Sequence, residues 1–353
     1  MSRSPQNNLV TVAQLAEFDE IIDVRSESEY AEDHVPGAIN CPVLNDEERA
    51  RVGTIYKQVS SFEAKKIGAA LIGRNIARHL ETTFMQRARD WRPLVYCWRG
   101  GNRSGALATV LREIGWKAGR LDGGYKAYRR AVLADLEVLP RKFKWRVVCG
   151  PTGSGKSRLL RALGQRGAQV LDLEALAAHR GSLLGDLPDA AQPPQKMFES
   201  RTWHALRSFN ARLSVYVEAE SKKIGRLRVP EALIAAMWSS ACVRLETPLG
   251  LRVAMLLEEY DHFVRDPALL LPQLDCLVPL HGHERIAAWK ALVQARDGER
   301  FVREMLELHY DPAYRRSTLN HYPHYADGVR LAVSAMSDAA FDDLATRCLA
   351  GAR

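Results

Sequence analysis

The chain has 353 residues, of which 46% are hydrophobic and 26% charged, ordinary globular values that exclude a disordered or collagen-like chain. That length predicts two domains and a core that stands without disulfides or structural metal. The net charge of +8 is uneven: residues 1–50 carry 3 basic and 11 acidic side chains, residues 51–130 carry 17 and 5, and residues 141–166 carry 8 basic and no acidic ones. Such a field favours a polyanion, either nucleic acid or a phosphorylated substrate.

In chain order, the N-terminal MSRSPQNNLV lacks the apolar core of a signal peptide. Ile21-Ile22-Asp23-Val24 reads as a short buried strand, and Leu94-Val95-Tyr96 as another. Residues 45–92 between them are rich in Lys, Arg and Ala and predict helix. A helix capped by Ser104 is expected to run to a stop at Gly115, and Arg120–Gly124 reads as a strand closing on a turn. The pattern restarts near residue 142. Strands are predicted at Trp145–Cys149, Gln169–Leu173, Ser214–Glu218 and Cys242–Leu245, separated by helices, an order that implies a parallel sheet covered on both faces. From about residue 284 the pattern is mostly helical and ends without a strong strand. The six cysteines are scattered with no CxxC pair, and no apolar run approaches a membrane span, so a reduced, cytoplasmic enzyme with no membrane partner is expected.

Two loops carry chemistry. Cys97-Trp98-Arg99-Gly100-Gly101-Asn102-Arg103-Ser104 lies between a strand and a helix start. Its glycines let backbone N–H groups turn inward, the helix adds its positive end, and Arg99 and Arg103 add charge. All of these favour Cys97 as a thiolate, the nucleophilic form. The plainer alternative is a buried cysteine at a strand end. With Asp23-Val24-Arg25, Glu29-Tyr30, His34–Asn40 and Leu121-Asp122-Gly123-Gly124-Tyr125, the loop resembles a rhodanese domain over most of residues 10–130. One departure is the spacing: many sulfurtransferase rhodaneses have four residues between Cys and Arg, whereas five separate Cys97 from Arg103. A wider ring of amides suits a phosphate-sized oxyanion, so the incoming group is expected to carry a phosphate.

The second loop, Gly150-Pro151-Thr152-Gly153-Ser154-Gly155-Lys156-Ser157, fits GxxxxGK[ST] between a strand and a helix. It reads a diphosphate through backbone N–H groups and Lys156, with Ser157 available to Mg2+. A second acidic partner for that metal is sought in Asp172 or Glu218, both at expected strand ends; the alternative for each is a surface carboxylate.

The pair of loops in one basic chain resembles the tRNA 2-selenouridine synthase family. Further segments that carry the resemblance are Glu48-Arg49, Val52-Gly53, Tyr56-Lys57, Gly123–Arg129, His179–Ser182, Glu218–Ser221 and Ile224-Gly225. The resemblance implies an α/β fold: a rhodanese-like parallel-sheet domain at 1–140, with a helical basic insertion at about 45–92, then a P-loop NTPase-like parallel-sheet domain at 141–353 with a helical C-terminal part. It implies a transferase acting on wobble 2-thiouridine in the anticodon loops of tRNAs for Lys, Glu and Gln. The sulfur would be alkylated by geranyl diphosphate and then replaced by selenium from selenophosphate, with Gly150–Ser157 holding the diphosphate and Cys97–Ser104 the selenophosphate. Cys97 would carry selenium covalently or only position its donor. No tightly bound cofactor is implied. Mg2+ is a candidate, no metal ligand is certain, a selenophosphate supplier is a candidate partner, and the oligomeric state is left open.

Charge fits that substrate: Arg74, Arg78, Arg87 and Arg89 are candidate tRNA phosphate contacts, and Trp98 either stacks on the base or packs the loop. The His309–Arg316 and His321–Tyr325 segments read better as a tail docked through its tyrosines than as an RNA contact. His281 and His283 are expected exposed in a loop, without metal spacing. Two other readings remain: an ATP-dependent tRNA thiolase using a Cys97 persulfide, and a nucleotide-sensing P-loop regulatory module without RNA.

Overall fold

The computed structural model describes residues 8–99, 101–182, 184–187 and 189–351. Contacts divide the chain into two units, Met1–Asp135 with Pro194–His204, and Leu136–Pro193 with Ala205–Arg353. The segment 194–204, inside the span expected for the second domain, therefore packs with the first unit.

In the first unit, strands β1 (Leu9–Val10), β2 (Glu20–Asp23), β3 (Ile39–Asn40), β4 (Pro93–Tyr96) and β5 (Gly119–Leu121) form a parallel sheet in the order β1-β5-β4-β2-β3. Its helices are α1 (Glu27–Glu32), α2 (Asp46–Gln58), α3 (Ser61–His79), α4 (Asn102–Ile114) and α5 (Gly124–Val138), the last running just past the unit boundary. Helix α2 starts in a reciprocal cap: the Glu48 N–H donates to Asn45 Oδ1 at 2.8 Å, and the Asn45 N–H donates to the Glu48 carboxylate at 3.1 Å. Helix α3 is capped by Ser60, whose Oγ accepts from the Phe62 and Glu63 N–H groups. The core closes Ile22, Val24 and Val95 of the sheet against Leu107 and Leu111 of α4 and Phe84 and Trp91. A connection leaves β2 toward β3 and another leaves β4 toward β5, on opposite sides. The carboxyl ends of β2 and β4 thus flank a crevice, where loops bind ligands in such sheets. Cys97 follows β4.

The second unit holds β6 (Lys144–Cys149), β7 (Gln169–Leu171), β8 (Ser214–Glu218), β11 (Ala241–Glu246) and β12 (Val329–Ala332) in a parallel sheet ordered β12-β11-β6-β8-β7, with a small β9–β10 hairpin (Lys223–Ile224 and Leu227–Arg228). Helices α6 (Lys156–Gln165), α7 (Leu173–Ala177), α9 (Glu231–Trp238), α10 (Leu249–Glu259), α11 (Asp261–Arg265), α12 (Leu271–Asp275), α13 (Val278–Gln294), α14 (Gly298–Met305), α15 (Asp311–His321) and α16 (Asp338–Ala350) complete it, whereas α8 (Gln195–Ser208) belongs to the first unit up to His204. Leu159, Leu160 and Leu163 of α6 pack on Phe341, Leu344 and Cys348 of α16. A separate apolar cluster joins Leu274, Ile286, Trp289, Phe301 and Met305 from α12, α13 and α14. Strand β6 is central, so the loop after it sits at the switch point between the two halves of the sheet.

Three expectations change. Helix α4 begins at Asn102 with Gly101 as its N-cap, so Ser104 lies inside the helix, where its hydroxyl is engaged by Cys97. Strand β7 stops at Leu171 because Asp172 caps α7, its Oδ1 accepting the Ala175 N–H at 2.8 Å. The C-terminal region contains a strand after all: β12 pairs with β11 at the sheet edge, and only Leu331 of its four residues is buried, too weak an alternation to stand out. No described helix is long and apolar enough to cross a membrane, and all six cysteines are free.

Candidate active site

Cys97 is buried at the carboxyl end of β4, its Sγ 3.3 Å from Ser104 Oγ. Burial pushes its thiol up, but hydrogen bonds from the Ser104 side chain and backbone, the Arg103 charge and the Gly101 backbone outweigh it and hold the group below its usual value. The backbone of the loop is pinned from α5, where the Tyr125 N–H donates to the Cys97 carbonyl at 2.8 Å and the Lys126 N–H to that of Trp98 at 3.0 Å. Arg103 is held by Glu29, which accepts its Nη1 at 2.9 Å and also meets Arg49 at 3.0 Å. Arg99, Gly101 and Asn102 are exposed, and Gly100 lies outside the described residues. Trp98 is 37% exposed and stacks on Tyr125 with ring centroids 5.3 Å apart. Beneath the loop, Arg25 and Asp23 form a fully buried ion pair at 2.6 Å, and Arg25 also donates to the Asp33 carbonyl at 2.6 Å.

In the second unit the Gly150–Ser157 loop turns from β6 into α6. Gly155 supplies the left-handed N-cap of α6 at φ +90°, a conformation that aims the first helical amides toward the loop and that side chains resist. The Thr152 carbonyl accepts Arg252 Nε at 2.8 Å, and Arg252 is itself clamped to Asp311 by two bonds of 2.9 and 2.6 Å. Lys156 Nζ meets Glu218 at 3.3 Å. Burial disfavours its charge, yet Glu218, Glu174 and Glu220 hold the ammonium above its usual value.

Glu174, Glu218 and Glu220 each bring a carboxylate oxygen within 4.8 Å of the others. Ser157 Oγ lies 3.3 Å from Glu174 and 3.2 Å from Glu218. Burial first, then mutual repulsion with Glu218 and Glu220, pushes Glu174 up to about 9, and burial with Glu218 pushes Glu220 up to about 8. One ammonium does not balance three such groups. Gly181 closes the cluster, because a Cβ there would stand 2.7 Å from Glu174 Oε1 and 2.8 Å from Glu220 Oε1. Hard oxygen donors around a loop serine suit a divalent cation of the Mg2+ type.

These groups line a polar cavity of about 500 Å3. An apolar cavity of about 90 Å3 adjoins it, and Thr152, Ser182, Leu256, Tyr260 and Tyr310 line both. Its walls are Phe263, Phe301, Val302 and Met305 among others. The composite site therefore runs from a phosphate cradle into hydrocarbon.

Residues 9–131 match the family model of rhodanese-like domains, and residues 143–267 that of the tRNA 2-selenouridine synthase AAA domain. Proteins named tRNA 2-selenouridine synthase are 38% identical in Hydrogenovibrio crunogenus (68% of this chain, 67% of that one) and 36% identical in Nitrosomonas europaea (68% and 63%). Another, in Bdellovibrio bacteriovorus, is 35% identical over 68% of this chain and 64% of its own. The chain belongs to the tRNA 2-selenouridine synthase family. The alignment spans less than two thirds of the Nitrosomonas and Bdellovibrio proteins.

For this tRNA 2-selenouridine synthase family member, the structure brings Cys97, Arg103 and Ser104 together, and Lys156, Ser157 and Glu218 together. Asp172 stays at the α7 cap beside the carboxylate cluster, whereas Glu174 and Glu220 join it. Neither was anticipated as a metal partner: Glu174 sits in a five-residue helix, and Glu220, though within the Glu218–Ser221 segment of the resemblance, lies beyond the strand end that drew attention to Glu218. Arg74 and Arg78 are exposed one turn apart on α3, Arg89 is exposed, and Arg87 pairs with Glu20 at 2.8 Å. Tyr310, Tyr314 and Tyr322 of the C-terminal segment face the polar cavity. His281 lies in α13 rather than a loop, 3.0 Å from His309, because the backbone breaks only at Gly282; His283 is exposed.

Proposed function

We propose that this chain converts wobble 2-thiouridine of tRNA to 2-selenouridine through an S-geranyl intermediate, using geranyl diphosphate and selenophosphate. The observation that carries the reading is the phosphate loop in a polar cavity that continues into an apolar one, with Thr152, Leu256, Tyr260 and Tyr310 lining both. A prenyl diphosphate has that shape: its diphosphate rests on the Gly150–Ser157 amides and Lys156, and the far end of its chain enters the cavity walled by Phe301 and Val302. The thiouridine sulfur attacks C1 of the prenyl chain, the C1–O bond breaks, and Lys156 stabilises the charge that grows on the leaving diphosphate. Ser157, Glu174 and Glu218 would hold Mg2+, which neutralises diphosphate charge when bound.

Alkylation makes the sulfur a thiol leaving group and leaves C2 electrophilic. The loop at Cys97, with Arg103 and the α4 amides, then presents the selenium donor. If the Cys97 thiolate takes selenium from selenophosphate, an S–Se bond forms, the Se–P bond breaks and phosphorus leaves reduced, as phosphite. An external thiol must then reduce the S–Se bond once selenium has displaced geranylthiol at C2. If the selenium of selenophosphate attacks C2 directly, geranylthiol departs and hydrolysis of the Se–P bond gives phosphate. Phosphorus NMR of the products distinguishes these two roles of Cys97. A thiolase would need a second cysteine to resolve a persulfide, and the other cysteine of this unit, Cys41, is buried and pushed up to about 12 by that burial.

The test is mass spectrometry of nucleosides from 2-thiouridine tRNA incubated with the protein and no ATP. Geranyl diphosphate alone should add a geranyl mass, and added selenophosphate should convert it to selenouridine. An unchanged nucleoside in both samples would refute the reading.

A further inference from the structure

The hairpin of α2 and α3 ends in a tip that the site chemistry leaves unused. Tyr56 on the last turn of α2, Val59 in the connection and Phe62 on the first turn of α3 are 58, 72 and 65% exposed. Two aromatic rings in water within a few residues of a tight turn are a costly arrangement for a surface with no partner. The surrounding charge is of one sign: residues 49–80 contain seven Lys and Arg and a single acid, Glu63. Glu63 is already paired to Lys66 at 2.8 Å, and Lys66 Nζ stands 5.2 Å over the Phe62 ring. Lys57 and Lys65 beside the rings are exposed, as are Arg74 and Arg78 further along α3. The acids of α2, Asp46, Glu47 and Glu48, lie in its first turn, at the far end of that helix.

Exposed flat rings interleaved with cations are the recognition chemistry of unpaired nucleotides, because every base offers a π face and every linkage a phosphate. Exposed aromatics also serve protein interfaces, but the one-sign positive charge around this tip favours a polyanion. We propose that the α2–α3 tip is a stacking platform for unpaired RNA, with Tyr56 and Phe62 taking bases and Lys57 and Lys65 the adjoining phosphates. The inference deepens the tRNA reading above and rests on it: it assigns the hairpin, in the same unit as Cys97, to the single-stranded part of the substrate.

The experiment measures fluorescence anisotropy of a labelled RNA hairpin with a seven-nucleotide loop and of a blunt duplex of the same stem, across a salt series. It uses the full chain, Tyr56→Ala/Phe62→Ala, and Lys57→Ala/Lys65→Ala. All four side chains are exposed, so the variants should melt with the parent protein. The aromatic variant should bind the looped RNA about tenfold or more weakly, with unchanged duplex binding and unchanged salt slope. The lysine variant should lose affinity for both RNAs and show a salt slope smaller by about one to two. Looped RNA bound equally by the parent and the aromatic variant would overturn the platform while leaving the tRNA reading standing. A parent that binds neither RNA would overturn both. Dimers seen by sedimentation in the parent and lost in the aromatic variant, with RNA binding unchanged, would make the tip a self-association face and overturn the platform.

Discussion

Cys97 combines burial, which works against a thiolate, with an environment that stabilises one. Ser104 is the nearest contributor, so Ser104→Ala should raise the pH at which iodoacetamide reacts half-maximally, while the parent protein should react below the pH of an ordinary thiol. An identical pH profile in both would remove Ser104 from the account. Below the loop, the Asp23–Arg25 pair has a purely structural duty. Asp23→Ala leaves a guanidinium buried without its countercharge and should cost about 3–5 kcal/mol in a denaturant titration. The Asp23-Val24-Arg25 motif was legible as a signature, but its role as a foundation beneath Tyr125 and the cysteine loop shows only once Arg25 is seen 4.0 Å over the Tyr125 ring.

Among elements, those on which chemistry sits were the readable ones. Strands β4 and β6 are short apolar runs that stop at glycine-bearing loops, and both loops took the strand-to-helix context their residues imply. What escaped depends on tertiary partners. Strand β12 exists because β11 offers it an edge, and the Glu174–Glu218–Glu220 cluster draws on α7, β8 and the loop after β8, which no spacing rule connects. The apolar cavity is likewise assembled from α10, α11, α13 and α14, with Thr152 of the phosphate loop at its edge. Val302→Phe on α14 should raise KM for geranyl diphosphate about tenfold while sparing dimethylallyl diphosphate, whose shorter chain needs less of the cavity. Equal effects on both donors would show that the chain lies elsewhere.

For the whole molecule, the basic stretch at residues 51–130 and the proposed tRNA substrate make a prediction about salt. Affinity for tRNA should fall linearly on a logarithmic salt scale, and Arg74→Ala/Arg78→Ala should weaken it for every tRNA alike while reducing the slope by about two. A slope that the double variant leaves untouched would place the RNA on another face. Charge was readable as a sum, but the pairing of Arg87 with Glu20 and of Arg49 and Arg103 with Glu29 shows which cations are already spoken for.

In the proposed reaction two loops divide the labour, alkylation at Gly150–Ser157 and selenation at Cys97–Ser104. The most direct test of that division is to quantify S-geranyl-2-thiouridine and 2-selenouridine made from one 2-thiouridine tRNA by Cys97→Ala and by Lys156→Ala. Cys97→Ala should accumulate the geranylated nucleoside and form no selenouridine. Lys156→Ala should form neither from 2-thiouridine, yet should convert tRNA that already carries the geranyl group. If both variants lost the same step, the two loops would serve one reaction and the division would be contradicted.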